Sequence, residues 1–554
     1  MRGGIERRLL VVDYFHAIAL DYDGTLTTGT RPSADVLSAV SAFRDDEHFA
    51  VLVTGRIYRE LVADFPAVAQ YFDAIVTENG AALWRGGSER VVGERVSNKL
   101  DDWLSQAAVP FRRGHSILAL DARYDGVARR GCIELGLDAQ LIRNREALMV
   151  IPAGASKAAG LIEALAELGV SHHNAIAVGD AENDLSLLLG CELAVAVGNA
   201  VPSLREAADL VLPQPNGAGV SAFIRENLPG DLPFLQPARR QLTLGFADDG
   251  TLVTIPASRT HVFVDGPTGS GKSYVAGLVV EGLSAADYTT VVIDFEGDHG
   301  ALGDELRGIL TLGGPEPLPS IEEVGRIVRH RFSSVVLDLS LREPAVRGAY
   351  ARDLLLHLSA QRMRWGLPHW IVVEEAHMVP SEALSKARES GNLCLVTYHP
   401  DWMEPQKIRD TDVLITTDKQ GRARLRRGAR TDATIAFRPG LRSVPHVRHV
   451  HKYSEGDVPI EKGFLFRGSH GELGAHVTSL RAFLHAVQRA PVDSLLHHAA
   501  HRDFSRWLRE VYQDRSLASS VARVEMRARP ATAQATRRAL SELVALRYDL
   551  DPLG

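Results

Sequence analysis

The sequence contains only three cysteines, Cys132, Cys191 and Cys394, which lie far apart in apolar surroundings. Three separated thiols cannot form a disulfide framework or a cysteine-based zinc site, so we expect them to be buried and reduced. No apolar run has the length of a signal peptide or a membrane span, which favours a cytoplasmic protein that does not enter a membrane. The formal net charge of −7 is small for 554 residues and argues against a chain that coats nucleic acid.

The rest of the composition is that of a folded protein, with 45% hydrophobic and 24% charged residues. A chain of this length is too long for one hydrophobic core, and apolar strand-like segments alternate with helical ones through most of it. We therefore predict a multidomain α/β fold with parallel sheets. A Pro- and Gly-rich stretch after Leu228 and a change of pattern near residue 445 predict the following domains: 1–230, 239–440 and 445–554.

The first domain opens with a short apolar strand that ends in two acidic residues, in the segment AIALDYDGTLT. Asp21 and Asp23 are close enough to hold one Mg²⁺, which would offset their repulsion and the charge of an incoming phosphate. A carboxylate can then attack phosphorus and form an aspartyl-phosphate, while the second carboxylate protonates the leaving oxygen. Gly24 permits a close backbone approach to the phosphate.

Three later segments place complementary groups at strand ends and helix starts. Thr54 ends the next apolar strand with a hydroxyl that can bind a phosphoryl oxygen. Lys157 begins a helix and can neutralise aspartate and phosphate charge. Asp180, Asn183 and Asp184 lie at a strand-to-helix turn, where the spacing of the two acids predicts that they complete the Mg²⁺ shell.

These four motifs, in this order, resemble those of the haloacid dehalogenase superfamily of phosphatases over residues 14–228. The segments VTENGA, MVIPAGASKAAGL and LAVAVGNAVPSLREAADLVL resemble its Cof-type, sugar-phosphatase branch. The resemblance implies a Rossmannoid domain with a small α+β cap at about residues 83–152. The cap would select the substrate, and its small size favours a compact phosphorylated metabolite.

The resemblance also implies a role for each residue of the four motifs. Asp21 would be the nucleophile and Asp23 the general acid and base. Thr54 and Lys157 would bind phosphate. The Mg²⁺ ligand Asp180 would be supported by Asn183 and Asp184.

The second domain carries the segment GPTGSGKS between an apolar strand and a helix, as a phosphate-binding loop requires. Its glycines let backbone N–H groups turn toward phosphates, and the helix N-terminus adds partial positive charge. Lys272 would reach the β- and γ-phosphates of ATP and Ser273 would bind Mg²⁺. The nucleotide-binding residues of this loop are Gly266, Thr268, Gly269, Ser270, Gly271, Lys272 and Ser273.

Nucleotide hydrolysis needs an acid near Mg²⁺ and another that orients water. Glu374 and Glu375 end the strand of HWIVVEEAH and can supply both, Glu374 for the metal and Glu375 as the base. Asp338, at the end of SSVVLDLS, is the alternative acid, and we interpret it as structural.

This domain resembles the HerA/FtsK-like P-loop ATPases, a DNA-pumping class, over about residues 239–440. Glu374–Glu375 replaces the commoner Asp-Glu pair, and Tyr398 and His399 stand where many relatives have Gln. The second departure puts the coupling of hydrolysis to movement in doubt. Members of the class work as rings with an arginine that reaches a neighbour, so the basic run 422–430 could act in a homo-oligomer, contact DNA or form a solvated face.

The last domain shows one strand, KGFLFRG, and then helical periodicity, and its expected role is interaction or assembly. His497 and His501 are four residues apart and could form a metal pair. Packing or capping histidines are the alternative reading.

The leading hypothesis is an Mg²⁺-dependent phosphatase of a small phosphorylated metabolite fused to an ATP-binding and ATP-hydrolysing domain. One alternative is a nucleic-acid motor with an accessory phosphatase, against which stand the acidic net charge and the lack of a base-stacking segment. A regulatory module that holds ATP without splitting it is another.

Overall fold

A computed structural model describes residues 14–45, 48–144, 146–228, 236–267, 269–398, 400, 411–428, 433–444, 458, 460–468, 471–512, 514–548 and 550. Thr268 of the predicted nucleotide loop, His399 and Arg430 lie outside these residues. Among the described helices, none combines the length and the apolar character that crossing a membrane requires.

The first domain contains a core sheet and a smaller cap sheet. Its strands are β1 (Ala17–Asp21), β2 (Phe49–Val53), β3 (Ala74–Thr77), β4 (Ala82–Arg85), β5 (Ser88–Val91), β6 (Phe111–Arg113), β7 (Leu118–Asp121), β8 (Ala139–Asn144), β9 (Ala147–Pro152), β10 (Ala175–Gly179), β11 (Leu193–Ala196) and β12 (Leu210–Val211). Its α-helices are α1 (Ala34–Asp45), α2 (Tyr58–Asp64), α3 (Val68–Tyr71), α4 (Lys99–Gln106), α5 (Asp125–Glu134), α6 (Lys157–Leu168), α7 (Leu185–Gly190), α8 (Pro202–Ala207) and α9 (Asn216–Ala222).

The core sheet has the order β12-β11-β10-β1-β2-β3-β4-β5. Strand β1 is buried along its whole length and pairs in parallel with β10 on one side and β2 on the other. Its apolar run fits this position, because a parallel strand covered on both faces exposes no side to water. The parallel pairing brings the C-terminal ends of β1, β2 and β10 to one edge, which is where the predicted motifs follow these strands.

The cap has a sheet of order β6-β7-β9-β8 with α4 and α5 packed on one face. Residues 82–91 form the β4–β5 hairpin of the core sheet instead. The first element of the cap is therefore α4, later in the chain than the expected boundary near residue 83. The hairpin joins the core sheet because β4 pairs with β3, and the residues of a strand do not themselves indicate which sheet it joins.

The second domain contains an 11-stranded sheet of order β14-β13-β23-β22-β21-β15-β20-β19-β16-β18-β17. Its strands are β13 (Gln241–Ala247), β14 (Leu252–Pro256), β15 (His261–Asp265), β16 (Thr290–Asp294), β17 (Ile309–Gly313), β18 (Ser334–Asp338), β19 (Trp370–Val373), β20 (Asn392–Thr397), β21 (Val413–Thr417), β22 (Ala423–Arg427) and β23 (Thr434–Pro439). Its α-helices are α10 (Lys272–Ala285), α11 (Ala301–Glu305), α12 (Ile321–Arg331), α13 (Pro344–Trp365) and α14 (Ser381–Glu389).

In this sheet, the strand before the nucleotide loop, β15, lies between β20 and β21 and is parallel to both. Strand β19, which leads to Glu374, is the next strand beyond β20. The expected β13–β14 hairpin is present, whereas the antiparallel strands β22 and β23 were not expected from the sequence.

The third region contains a hairpin of β24 (Phe464–Gly468) and β25 (Gly471–Val477), followed by helices. The α-helices described there are α15 (Leu480–Arg489), α16 (Val492–His501), α17 (Asp503–Glu510), α18 (Arg515–Arg527) and α19 (Ala533–Tyr548). Phe464, Phe483, Phe504 and Trp507 pack together in its core.

The histidines of α16 have protein partners. His498 is buried, its Nδ1 lies 2.8 Å from Asp503 Oδ2, and its Nε2 accepts a hydrogen bond from the Arg467 N–H. His501 Nδ1 lies 2.8 Å from the carbonyl oxygen of His497, and the two rings pack with centroids 4.5 Å apart. Both arrangements favour packing histidines in this helix.

Candidate active site and nucleotide loop

Three carboxylates and one ammonium group meet at the C-terminal edge of the first sheet. Oxygens of Asp21, Asp180 and Asp184 lie within 4.8 Å of one another. Lys157 Nζ is 2.5 Å from Asp21 Oδ1 and 2.5 Å from Asp184 Oδ1. All four side chains are buried, so water screens their charges poorly.

Local structure fixes each of these groups. Asp21 is the last residue of β1, and Lys157 is the first residue of α6, whose N-cap Ser156 accepts a hydrogen bond from the Ala159 N–H. Asp184 Oδ2 accepts hydrogen bonds from the N–H groups of residues 180 and 181, at 3.0 Å each. Asp184 thus closes the turn after β10 and holds Asp180 in place.

Gly24 has to be glycine for two independent reasons. Its φ of +90° is a conformation that residues with a Cβ rarely adopt. A Cβ at this position would also lie 2.3 Å from Asp180 Oδ2. The turn after β1 therefore packs directly against Asp180, the second predicted metal ligand.

The charge balance of the cluster is unequal, since one buried cation faces three buried carboxylates. Burial and the neighbouring Asp184 carboxylate raise the pKa of Asp21 to about 8. Burial alone would lower the pKa of Lys157, but Asp184 and Asp21 raise it. Buried oxygen ligands with excess negative charge match what Mg²⁺ requires, so the residues present fit this ion.

Asp23 and Thr54 contact Arg56, a residue that the sequence reasoning missed. Both oxygens of Asp23 accept hydrogen bonds from Arg56, at 2.8 and 2.6 Å, and the carboxylates that lie within 4.8 Å of one another are those of Asp21, Asp180 and Asp184, without Asp23, which was expected to share the metal. The buried Thr54 hydroxyl accepts a hydrogen bond from the Arg56 N–H. Arg56 could have been found from the sequence because it follows Thr54 by only two residues. Asn183 and Asp184 both lie in the short 3-10 helix Glu182–Asp184, which directly precedes α7.

The cap is fastened to the core beside this site. The buried carboxylate of Glu78 accepts hydrogen bonds from three successive cap N–H groups, those of residues 115, 116 and 117. Met149 of β9 places its sulfur 3.0 Å from Asn79 Nδ2. A Cβ at Gly55, the residue after Thr54, would lie 3.0 Å from the Met149 methyl carbon. The cap therefore lies directly on the loops that flank Thr54.

At its described residues, the predicted nucleotide loop of the second domain has the backbone conformation that its glycines allow. The φ angles of Gly266, Gly269 and Gly271 are +145°, +77° and +96°. Lys272, the first residue of α10, is buried and its Nζ donates to the Pro267 carbonyl across the loop. Ser273 follows it in the first turn, and Ser270 Oγ lies 2.5 Å from Thr417 Oγ1 of β21. These described residues fit a phosphate chain held by backbone N–H groups and an ammonium group.

Glu374 and Glu375 are both buried at the end of β19. Glu374 Oε1 lies 2.8 Å from Nε2 of the buried His299, which the sequence reasoning missed. Burial alone would lower the pKa of His299, but Glu374 raises it. Glu375 has a φ of +45°, and its Oε2 lies 3.5 Å from His377 Nδ1.

Asp338 and Tyr398 occupy different positions relative to the loop. Asp338 ends β18, two strands beyond β19 and about 10 Å farther from β15, and it accepts a hydrogen bond from the Ser340 N–H. This position agrees with its interpretation as a structural acid. The Tyr398 ring lies 5.6 Å from Lys272 Nζ and packs edge-on against His377.

Comparisons with known proteins agree with the two kinds of site. The family model of haloacid dehalogenase-like hydrolases matches residues 139–224, and that of the central domain of helicase HerA matches residues 251–338. Phosphoglycolate phosphatase 2 of Saccharolobus solfataricus is 31% identical over 228 residues, which is 39% of this chain and 93% of that protein. Phosphoglycolate phosphatases of Archaeoglobus fulgidus and Methanothrix thermoacetophila are 30% and 31% identical, over 37% and 38% of this chain and 93% and 95% of their own lengths.

The relatives thus correspond to the first domain over nearly their whole length, and the second domain is an addition to it. The chain belongs to the haloacid dehalogenase-like hydrolases and carries, after that domain, one related to the central domain of helicase HerA.

Proposed function

We propose that the first domain is an Mg²⁺-dependent phosphatase that works through an aspartyl-phosphate. The observation that carries this proposal is the buried group of Asp21, Asp180 and Asp184 around Lys157. A structural salt bridge would need one carboxylate for one ammonium group, whereas a second cation accounts for the excess of acid. Asp21, Asp180 and Asp184 would hold Mg²⁺, which when bound offsets negative charge on the ligands and on the substrate phosphate.

In the first step, a carboxylate oxygen of Asp21 attacks phosphorus while the bond from phosphorus to the leaving oxygen breaks. Asp23 gives that oxygen a proton. In the second step, water attacks the phosphorus of the aspartyl-phosphate, Asp23 takes the proton, and phosphate leaves with Asp21 restored. Asp23 has to leave its paired contact with Arg56 to reach the reacting oxygen. Lys157 stays beside Asp21 and neutralises charge throughout.

We propose a small phosphorylated acid of the phosphoglycolate type as the substrate. Three relatives that are similar along the first domain are named phosphoglycolate phosphatases. The contact of Met149 with Asn79 and Gly55 holds the cap close to the loop at Thr54. This closeness favours a compact substrate.

Shortening Met149 to Ala is expected to relax selection by size. The cap would lose its contact above Gly55, and kcat/KM for a bulky ester such as a hexose phosphate should rise about tenfold relative to phosphoglycolate. Steady-state kinetics on both esters measure this ratio. Ile133→Ala, on the outer surface of the cap, is the matched control and should leave it unchanged. An unchanged ratio in Met149→Ala would show that the cap limits size elsewhere.

Chelation of divalent cations is expected to stop phosphoester hydrolysis, because three buried carboxylates would then repel the substrate phosphate. Dialysis against EDTA followed by added Mg²⁺ tests this. Activity should fall to background and return with the metal. Full activity after complete removal, verified by metal analysis, contradicts a metal-dependent site.

For the second domain we propose ATP binding and hydrolysis. Lys272 and the loop amides would bind the phosphates, Ser273 and Glu374 would hold Mg²⁺, and Glu375 would orient water. The described loop geometry and the two buried glutamates support this assignment.

A screen of phosphorylated metabolites with and without ATP tests the proposed phosphatase. The wild-type chain should release phosphate from small phosphorylated acids, and Asp21→Asn should release none. Equal release by both proteins would assign the activity to another site or a contaminant.

A further inference from the structure

The two domains meet at His173, whose ring nitrogens both face oxygen acceptors. Nδ1 lies 2.9 Å from Glu192 Oε2, and Nε2 lies 2.8 Å from the carbonyl oxygen of Ala286. The Ala286 carbonyl can only accept, so Nε2 donates to it, and Nδ1 shares a second proton with the Glu192 carboxyl group. His173 and Glu192 are fully buried, so this hydrogen-bonded pair lies in the interior of the chain.

Glu192 also receives hydrogen bonds from the second domain. The Tyr288 hydroxyl donates to Oε2 at 2.6 Å, and the Ser258 hydroxyl donates to Oε1. The Tyr288 ring stacks on His173 with centroids 3.6 Å apart. The carboxylate of the first domain is thus satisfied only while the second domain is docked in this arrangement.

Further contacts fix the same interface. Arg239 donates to the carbonyl oxygens of Cys191 and Glu192 and forms an ion pair with Asp209. Arg240 also donates to the Cys191 carbonyl. These contacts satisfy polar backbone groups that follow α7, so a shift of one domain against the other would break several bonds together.

The elements that meet here lead to the two sites. His173 lies in the turn between α6, which begins with Lys157, and β10, which is followed by Asp180. Ala286 directly follows α10, which begins with Lys272 of the nucleotide loop. A helix of this length spans about 21 Å as a stiff rod, so a shift at its start is carried to its end.

We propose that this junction couples the two sites, so that a nucleotide bound at residues 266–273 alters the phosphatase site through α10, the His173–Glu192 pair and β10. The inference rests on the proposed function of both domains. Its physical basis is that the His173 ring cannot keep both hydrogen bonds if Ala286 moves relative to Glu192. The turn at residues 172–174 must then follow α10 or lose a buried bond.

Hydrogen exchange of the full chain with and without a non-hydrolysable ATP analogue and Mg²⁺ tests the coupling. The analogue should slow exchange in residues 266–285, where it binds, and change exchange in residues 172–180 about fivefold or more. Protection of 266–285 with no change in 172–180 would overturn the coupling alone. No protection of either segment would overturn the nucleotide function and the coupling together.

Variants separate the junction from the general effect of nucleotide. Glu192→Gln should keep the protection of residues 266–285 and lose the response of 172–180. Tyr288→Phe keeps the stacked ring and removes one hydrogen bond, so it should weaken that response. It provides the test if Glu192→Gln does not fold. Asp35→Asn removes an exposed ion pair with Arg225 and is the control that should respond like wild type. A full response in the folded junction variants would contradict the proposed route.

Phosphatase kinetics test separately whether the coupling changes activity. With phosphoglycolate, the analogue should change kcat of wild type about fivefold or more and that of Glu192→Gln by less than twofold. A change in exchange without any phosphatase activity would support the coupling and count against the proposed phosphatase. If the analogue changes exchange in residues 172–180 but leaves kcat of an active phosphatase unchanged, the coupling of function would be overturned.

Discussion

Replacing Asp21 with Asn is expected to lower kcat for phosphoester hydrolysis by at least about 10³-fold, because the amide cannot act as the attacking group. The substitution keeps the shape of the side chain at the end of β1. It also removes one of the two carboxylates that lie 2.5 Å from Lys157. The variant should remain folded and should keep its ATP turnover, since the nucleotide loop belongs to the other sheet.

Asp125→Asn in the cap is the matched control, because Asp125 forms an exposed ion pair with Arg129. It should retain wild-type phosphatase activity. Circular dichroism melting of both variants separates lost chemistry from lost structure. A folded Asp21→Asn protein with more than a tenth of wild-type activity would rule Asp21 out as the nucleophile.

Replacing Lys272 with Ala is expected to lower ATP turnover by about 10²-fold or more and to weaken ATP binding. The buried ammonium group at the start of α10 is the cation that the described loop offers to the phosphates. Phosphate release from ATP and nucleotide binding by calorimetry measure the two effects.

Lys386→Ala is the control for this change, since Lys386 is exposed on α14 and pairs only with Glu389 in the contacts described for it. Glu375→Gln distinguishes hydrolysis from binding and should keep ATP bound while turnover falls. If the wild-type chain binds ATP with no turnover at all, the second domain is a binding module and the assignment of Glu375 as base is wrong.

Residues that follow a strand or begin a helix could be found from the sequence. Asp21, Lys157 and Asp180 each lie at such a boundary, and parallel pairing of β1 with β10 brings two of them together. Local chemistry and the geometry of parallel sheets were sufficient there, because the C-terminal ends of neighbouring strands share one edge.

Contacts between segments far apart in the chain were not accessible in this way. The Arg56–Asp23 and His299–Glu374 pairs depend on where separate loops approach each other, and neither has a fixed spacing. The same holds for His173 and Glu192. Nothing in the sequence around them indicates that their partners are Ala286 and Tyr288 of the second domain. The cap boundary was misjudged because strand pairing, not composition, assigns residues 82–91 to the core sheet.

In the proposed mechanism, Asp21 carries the phosphoryl group during turnover. The direct measurement is to quench the enzyme during reaction with a phosphomonoester, reduce acyl phosphates with borohydride and map the peptides by mass spectrometry. Asp21, and no other acidic residue, should be converted to homoserine in proportion to the trapped phosphate. Trapped phosphate on a different residue, or an active enzyme that never acquires the label at Asp21, would contradict it.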